Sequence, residues 1–188
     1  EASLMIDTSG VPLHKRGYRP VSTEAPLRET LAAAMAKIAR PRESVLFRDP
    51  MCGSGTIAIE AAMILSNRAP GLGRDFAAEA FPQIAKSVWA EERAAADAAI
   101  LRDADYEVWA SDIDEHILDV TYGNALRAGV EDHLRIFDAD VRKIEKPDRR
   151  GTVVCNPPYG ERLMTPETVA VLYREMGQNL WNFAPWHI

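Results

Sequence analysis

One stretch limits the folds open to this chain more than any other. Val45-Leu46-Phe47 is a short apolar run that delivers the backbone into Asp49-Pro50-Met51-Cys52-Gly53-Ser54-Gly55-Thr56, and Ile57, Ile59 and the residues up to Leu65 follow with apolar side chains nearly all round. Strand, glycine loop and fully apolar helix is the pattern of a helix packed on a sheet, not of a surface helix. The alternation then repeats. Residues 106–110 lead into Ser111-Asp112-Ile113-Asp114, after which Ile117, Leu118, Tyr122 and Leu126 predict a helix face ending near Gly129. Residues 134–137 read as a third strand closed by Asp138-Ala139-Asp140, and residues 152–155 as a fourth closed by Asn156-Pro157-Pro158-Tyr159. Val169, Leu172, Tyr173, Met176 and Leu180 mark a further helix. Strands alternating with helices imply an α/β fold, a doubly wound parallel sheet with its site at the carboxyl ends of the strands.

The flanks are read the same way. Residues 4–19 predict a β-hairpin around Thr8-Ser9-Gly10, and Leu27, Leu31, Met35 and Ile38 predict one face of a helix that starts at Pro26 and runs to about Ala39. Residues 68–105 read as an insertion with a helix over 89–102, and Trp186-His187-Ile188 resembles the opening of another strand, so the sheet is expected to continue and the chain to be cut at its C-terminus. A length of 188 residues leaves room for one domain. It divides into a hairpin and linker over 1–24 and a partial catalytic domain over 25–188.

The charge sum, 22 − 28 = −6, argues against a whole surface built to neutralise phosphates. The most basic stretch, His14-Lys15-Arg16-Gly17-Tyr18-Arg19, reads either as a local phosphate contact or as a solvated hairpin strand. Cys52 and Cys155 form no CxxC pair and the four histidines are scattered, so no metal site is expected. No apolar run approaches the roughly 18 residues of a membrane span and the first residues lack a signal-peptide pattern, so a cytoplasmic protein is expected.

The chemistry lies at the strand ends. Gly53-Ser54-Gly55 with Ala58 fits G-x-G-x-x-A, a weak dinucleotide signature. Asp75 lies 75 − 55 = 20 residues after Gly55, where a ribose-binding acid would be expected, but it ends no apolar strand, whereas Asp112 does. Asp49 just ahead of the loop would repel a pyrophosphate and welcome an ammonium or sulfonium cation, and no Gly-Lys-Ser/Thr follows to suggest a nucleotidase. Asp112 can accept both ribose hydroxyls, and Asp140, with Asp138 competing, can accept from an adenine amino group. Together these acids outline S-adenosylmethionine. Asn156-Pro157-Pro158-Tyr159 is the most specific element: two prolines hold the backbone extended with its carbonyls turned outward as fixed acceptors. The Asn156 side-chain oxygen and the Pro157 carbonyl can accept from both N–H groups of an exocyclic amine, making its nitrogen nucleophilic, while Tyr159 stacks on the base.

On these residues the chain resembles amino-methyltransferases with a Rossmann-like fold, specifically the large-subunit ribosomal RNA guanine N2-methyltransferases. The resemblance rests on the segments 13–19, 25–32, 49–56, 67–72 and 156–163, the last reading Asn-Pro-Pro-Tyr-Gly-Glu-Arg-Leu. It implies S-adenosylmethionine as cofactor, held by a loop with Asp49, Gly53 and Gly55 on the methionine side, by Asp112 at the ribose and by Asp140 at the adenine, with Met51, Thr56 and Ile113 also in the cofactor site. Asn156, Pro157, Pro158 and Tyr159 would meet the target amine. It also implies an RNA partner gripped mainly by an N-terminal RNA-binding domain of the THUMP type that this sequence does not contain. The alternatives are an adenine N6-methyltransferase acting on DNA or RNA, a nicotinamide-dependent oxidoreductase, and a cofactor-binding scaffold without turnover.

Overall fold

A computed structural model describes residues 2–20, 27–159 and 164–188. Four parallel strands, β1 (Leu46–Asp49), β2 (Val108–Asp112), β3 (Leu134–Asp138) and β4 (Gly151–Val153), form one sheet in the order β3-β2-β1-β4. The helices are α1 (Glu29–Ala39), α2 (Thr56–Leu65), α3 (Lys86–Ala98), α4 (Glu115–Ala128) and α5 (Pro166–Trp181), with single 3-10 turns at Ala77–Ala80 and Glu131–His133. Because side chains alternate across a strand, Phe47, Val108 and Ala110 join α1, α2 and α4 in one core. Leu46 and Val153 face the other way, into a second core with Leu180, Phe183 and Trp186. On that second face Arg48, only 3% exposed, donates to the Glu145 carbonyl at 2.8 Å and lies against the rings of Trp109, Phe137 and Phe183. The four strands, their parallel doubly wound arrangement and the expected helices are present, with the helix expected over 89–102 lying at Lys86–Ala98 and the strand expected over 152–155 at Gly151–Val153. His187 pairs in parallel with Thr152 beside β4, as the strand-like run at 186–188 suggests.

Two expectations fail. Residues 2–20 form no strand, so the N-terminal β-hairpin is absent. Leu4, Met5 and Ile6 are largely exposed, and a hairpin would have had no surface on which to bury them. The segment is instead an irregular arm whose carbonyls at Ser9, Val11, Pro12 and Lys15 all accept from the Arg74 guanidinium of the insertion. The second failure is partial and concerns helix faces, where Leu27, Met35 and Leu118 pack against the core as expected but other members of the predicted stripes do not. In α1 the buried positions are Glu29, Ala32 and Ala36, with Leu31 and Ile38 exposed; in α4 they are Thr121, Asn124, Ala125 and Ala128, with Tyr122 and Leu126 exposed. Small residues on these faces let α1 pack closely on α2, itself lined by Ala58, Ala61 and Ala62. Close approach decided the face, and bulk hydrophobicity did not. The start of the predicted α1 at Pro26 lies outside the described residues.

The basic stretch is also reassigned. Arg16 pairs with Glu60 at 3.4 Å, Tyr18 donates to the same carboxylate at 3.0 Å, and Arg19 pairs with Glu29 at 3.2 Å. Both glutamates are almost wholly buried, so Arg16 and Arg19 neutralise interior charge and are not available to a phosphate backbone.

Candidate active site

Parallel strands all end on one edge, so the acids and the Asn156 segment share a single rim in the order of the sheet: Asp140 beyond β3, Asp112 ending β2, Asp49 ending β1 and Asn156 beyond β4. The β4 register holds past the strand, since the Val154 N–H donates to the Arg48 carbonyl at 3.0 Å, next to Asp49. The negative charge of Asp49 reaches the Cys155 thiol, which burial first and then that charge push up to about 12.

The glycine loop is tied to the rim by its backbone. The Cys52 N–H donates to the Ser111 carbonyl at 2.9 Å and the Gly55 N–H to the Cys52 carbonyl at 2.8 Å. Asp112 accepts from the Gly53 N–H at 2.9 Å through one oxygen and from the Asp114 N–H at 3.1 Å through the other. Each oxygen keeps a second lone pair for a ligand hydroxyl. Gly55 has φ +83°, and a Cβ there would stand 2.6 Å from the Thr121 Cγ2. Gly55→Ala is therefore expected to cost about 1–3 kcal/mol of stability and to weaken ligand binding at the loop. Urea unfolding with and without ligand would measure both, and wild-type stability in the variant would contradict this packing.

Asp49 is 1% exposed and accepts one hydrogen bond, from the Met51 N–H at 3.3 Å. Among the described residues no cation pairs with it. Burial pushes its pKa up to about 8; the Met51 N–H offsets this in part, and the nearby Asp112 adds to it. A buried carboxylate lacking a counter-charge at the mouth of a glycine loop is a ready partner for an ammonium or sulfonium group. Met51 is half-buried beside it, the Thr56 hydroxyl accepts from Arg19 at 2.8 Å, and Ile113 stands 65% exposed next to Asp112, an apolar face open to a flat ring.

Asp140 is engaged differently from expectation. Arg142 grips both of its oxygens at 2.7 to 3.0 Å and also reaches Glu175 at 3.2 Å, and these hydrogen bonds hold the Asp140 carboxyl below its usual range. Its competitor Asp138 is more exposed and ends β3 beside Asp112. Asn156, Pro157 and Pro158 are half-buried, Pro158 accepts from the Tyr173 hydroxyl of α5 at 3.3 Å, and Tyr159 is 70% exposed with its ring open to a stacking partner. Glu161 and Arg162, part of the same motif, lie outside the described residues. The rejected Asp75 has a fully solvated side chain far along the chain from any strand end, 3.6 Å from Arg93. Among the described residues no group of three or more histidine, cysteine or carboxylate side chains is placed to hold a metal ion, and no helix is long and apolar enough to cross a membrane.

Two residues of the site escaped the sequence reading. The Thr121 hydroxyl donates to the Gly53 carbonyl at 2.6 Å and the Asn124 amide donates to the Ser54 carbonyl at 2.9 Å, both from fully buried positions on α4. Their signal was present: Thr121, Asn124, Ala125 and Ala128 follow one another at helical spacing as a small and polar stripe.

Known proteins share this architecture. A Listeria monocytogenes protein described as a "predicted N6-adenine-specific DNA methylase" superposes with a TM-score of 0.90 at 42% identity, over 96% of this chain and 47% of that one. SMU.472, crystallised as a complex with SAH, superposes at 0.89 with 38% identity over 96% and 47%. The ribosomal RNA large subunit methyltransferase K/L of Aliivibrio salmonicida is 43% identical over 94% of this chain and 26% of its own length. Across the curated relatives the chain spans between about a quarter and about half of their length. Residues 16–186, nearly the whole chain, match the model of the RMKL-like methyltransferase domain (UPF0020), and the chain belongs to that family.

Proposed function

We propose that this chain carries the catalytic part of an S-adenosylmethionine-dependent RNA methyltransferase that modifies the exocyclic N2 of a guanine in large-subunit ribosomal RNA. The observation that carries the reading is the buried Asp49, without a counter-charge among the described residues, on the same rim as Asn156-Pro157-Pro158-Tyr159. A pyrophosphate cofactor would meet a carboxylate where it needs donors, which disfavours the nicotinamide alternative. A scaffold would have no use for proline-fixed acceptors facing the same mouth. The SAH complex of SMU.472 and the ribosomal RNA methyltransferase name of the Aliivibrio relative support the cofactor and the substrate class.

Asp49 would hold the amino end of the methionine moiety, the Gly53-Ser54-Gly55 turn its backbone, and Asp112 the ribose hydroxyls, with Ile113 against the adenine. Asp140 already accepts from the Arg142 backbone N–H at 2.9 Å and from its guanidinium, which leaves one lone pair with which to accept from the adenine amino group. When bound, the cofactor supplies an electrophilic methyl group on a sulfonium. The rest falls to the chain: Tyr159 stacks on a base drawn out of its helix, the Asn156 amide oxygen and the Pro157 carbonyl accept from the two N–H groups, and the nitrogen lone pair is withdrawn from the ring. No basic surface is needed on this part if the RNA is gripped by another domain, as the longer relatives permit.

The base is chosen by experiment. The full-length protein, incubated with labelled S-adenosylmethionine and either ribosomal RNA or DNA, is expected to yield N2-methylguanosine. N6-methyladenosine or its deoxy counterpart would replace this reading with the adenine one, which the description of the Listeria protein favours. Asp112→Ala is expected to raise the Kd for SAH about 30-fold, the loss of a charged hydrogen-bonding group worth about 2 kcal/mol, with kcat at saturating cofactor nearly unchanged. Calorimetry and initial rates separate the two, and unaltered affinity would remove Asp112 from the cofactor site.

A further inference from the structure

The glycine loop is also held by side chains of α4 and by the N-terminal arm. The Arg127 Nε donates to the Tyr18 carbonyl at 2.8 Å and its Nη2 to the Asn124 side-chain oxygen at 2.7 Å. An arginine can only donate, so it fixes which end of the Asn124 amide faces it and turns the amide nitrogen toward the Ser54 carbonyl. With the Thr121 hydroxyl on the Gly53 carbonyl, two successive peptide planes of the glycine loop are set from α4. A second tie runs in parallel, from the Arg19 guanidinium to the Thr56 hydroxyl at the first residue of α2. Residues 16–19 are thus connected by hydrogen bonds to the middle of the loop at Ser54 and to Thr56 just past it, and they are themselves locked to Glu60 and Glu29.

We infer that Arg127 is a positioning residue for the cofactor, and that through it the N-terminal arm sets the conformation of the Gly53-Ser54-Gly55 turn. The arm is therefore part of the binding machinery through its hydrogen bonds to the loop, and whatever displaces residues 16–19 lowers cofactor affinity. The inference rests on the reading above only for the identity of the ligand.

Gly17 supplies the means to displace the arm without touching the loop. Its φ is +97°, and a Cβ there would stand 2.2 Å from the Gly73 carbonyl oxygen, so Gly17→Ala must shift the arm. The experiment is a double-mutant cycle of Gly17→Ala and Arg127→Met in the full-length protein, read as the Kd for SAH, with circular dichroism and unfolding midpoints recorded for each variant. Each single substitution is expected to raise Kd about tenfold, and the double variant little more than the larger single effect, because both break one connection. Arg127→Lys, whose ammonium keeps the charge but not the rigid fork that spans the two acceptors, should fall between wild type and Arg127→Met, and it replaces the methionine variant in the cycle if that one fails to fold. Kd unchanged in the arginine variants, or losses that multiply to about a hundredfold in the double variant, would overturn the inference. Failure of the wild-type protein to bind SAH would instead refute the choice of cofactor, a separate outcome.

Discussion

Asn156→Ala is expected to bind S-adenosylmethionine as the wild type does and to transfer its methyl group about 100 to 1000 times more slowly. The size follows from what the side chain is asked to do. A base amine is a weak nucleophile because its lone pair is delocalised, and acceptors fixed in place act on it only as the nitrogen becomes tetrahedral. Loss of one such fixed partner costs other enzymes about two to three orders of magnitude in kcat. The separation of binding from turnover follows from the strand order: Asn156 lies beyond β4, on the far side of β1 from Asp112, and shares no hydrogen bond with the glycine loop. Asn156→Asp is the sharper variant. It keeps an acceptor at the same place, so part of the activity should survive, whereas Asn156→Ala keeps none. Single-turnover rates with saturating cofactor, beside Kd by calorimetry, measure both quantities. An alanine variant with wild-type turnover would show that the Asn156 oxygen takes no part in activating the amine.

How much of this was legible in the sequence differs by level. The strands and their ends were readable because each is a short apolar run closed by a polar turn, and a parallel sheet must then bring Asp112, Asp49 and Asn156 to one edge. The helix faces were not. Leu31, Ile38, Tyr122 and Leu126 obey helical periodicity, yet the chain buries the alanine and polar stripes beside them, since the close approach of α1, α2 and α4 leaves no room for larger side chains. The hairpin failed for a related reason: apolar residues on either side of Thr8-Ser9-Gly10 carry no information about whether a surface exists to cover them, and Arg74, 55 residues beyond Arg19 (74 − 19), supplies donors to the arm's carbonyls that no local pattern announces. Buried Glu29 and Glu60 were equally silent, because a charged residue in a helix looks solvated until its arginine is found on another segment.

Asp49 should make cofactor binding depend on pH, and the sign can be worked out. In the ligand-free protein its pKa is raised from 3.8 to about 8, chiefly by burial. For an acid whose folded pKa lies above its unfolded value, the folded state holds the extra proton throughout the window between them. The contribution of Asp49 to stability is therefore greatest below about pH 4, declines as pH rises to about 8, and levels off beyond. The groups that face Asp49 do not reverse this: Asp112 adds to the shift, the Met51 N–H only moderates it, and the Cys52 and Cys155 thiols are both pushed upward and stay neutral. A cationic ligand changes the balance, because an ammonium beside the carboxylate stabilises its charged form and pulls its pKa down. Binding near neutral pH then expels a proton, and affinity tightens as pH rises, by up to about tenfold per unit until the free carboxyl is itself ionised near pH 8. Above that the ligand's amino group loses its own proton, so the affinity profile should peak at about pH 8. Between pH 6 and pH 8 the expected change in Kd is about 20-fold: the ionised fraction of Asp49 rises about 50-fold, and about half of the gain is lost as the ligand's amino group gives up its proton. Calorimetry in two buffers of different ionisation enthalpy counts the proton released, and Asp49→Asn, which holds no titrating group, should release none and bind weakly with a flatter profile below pH 8. A wild-type affinity that does not vary from pH 6 to pH 8, with no proton released, would mean that the cation of the ligand is seated elsewhere and that Asp49 is only a buried acid at the end of a strand.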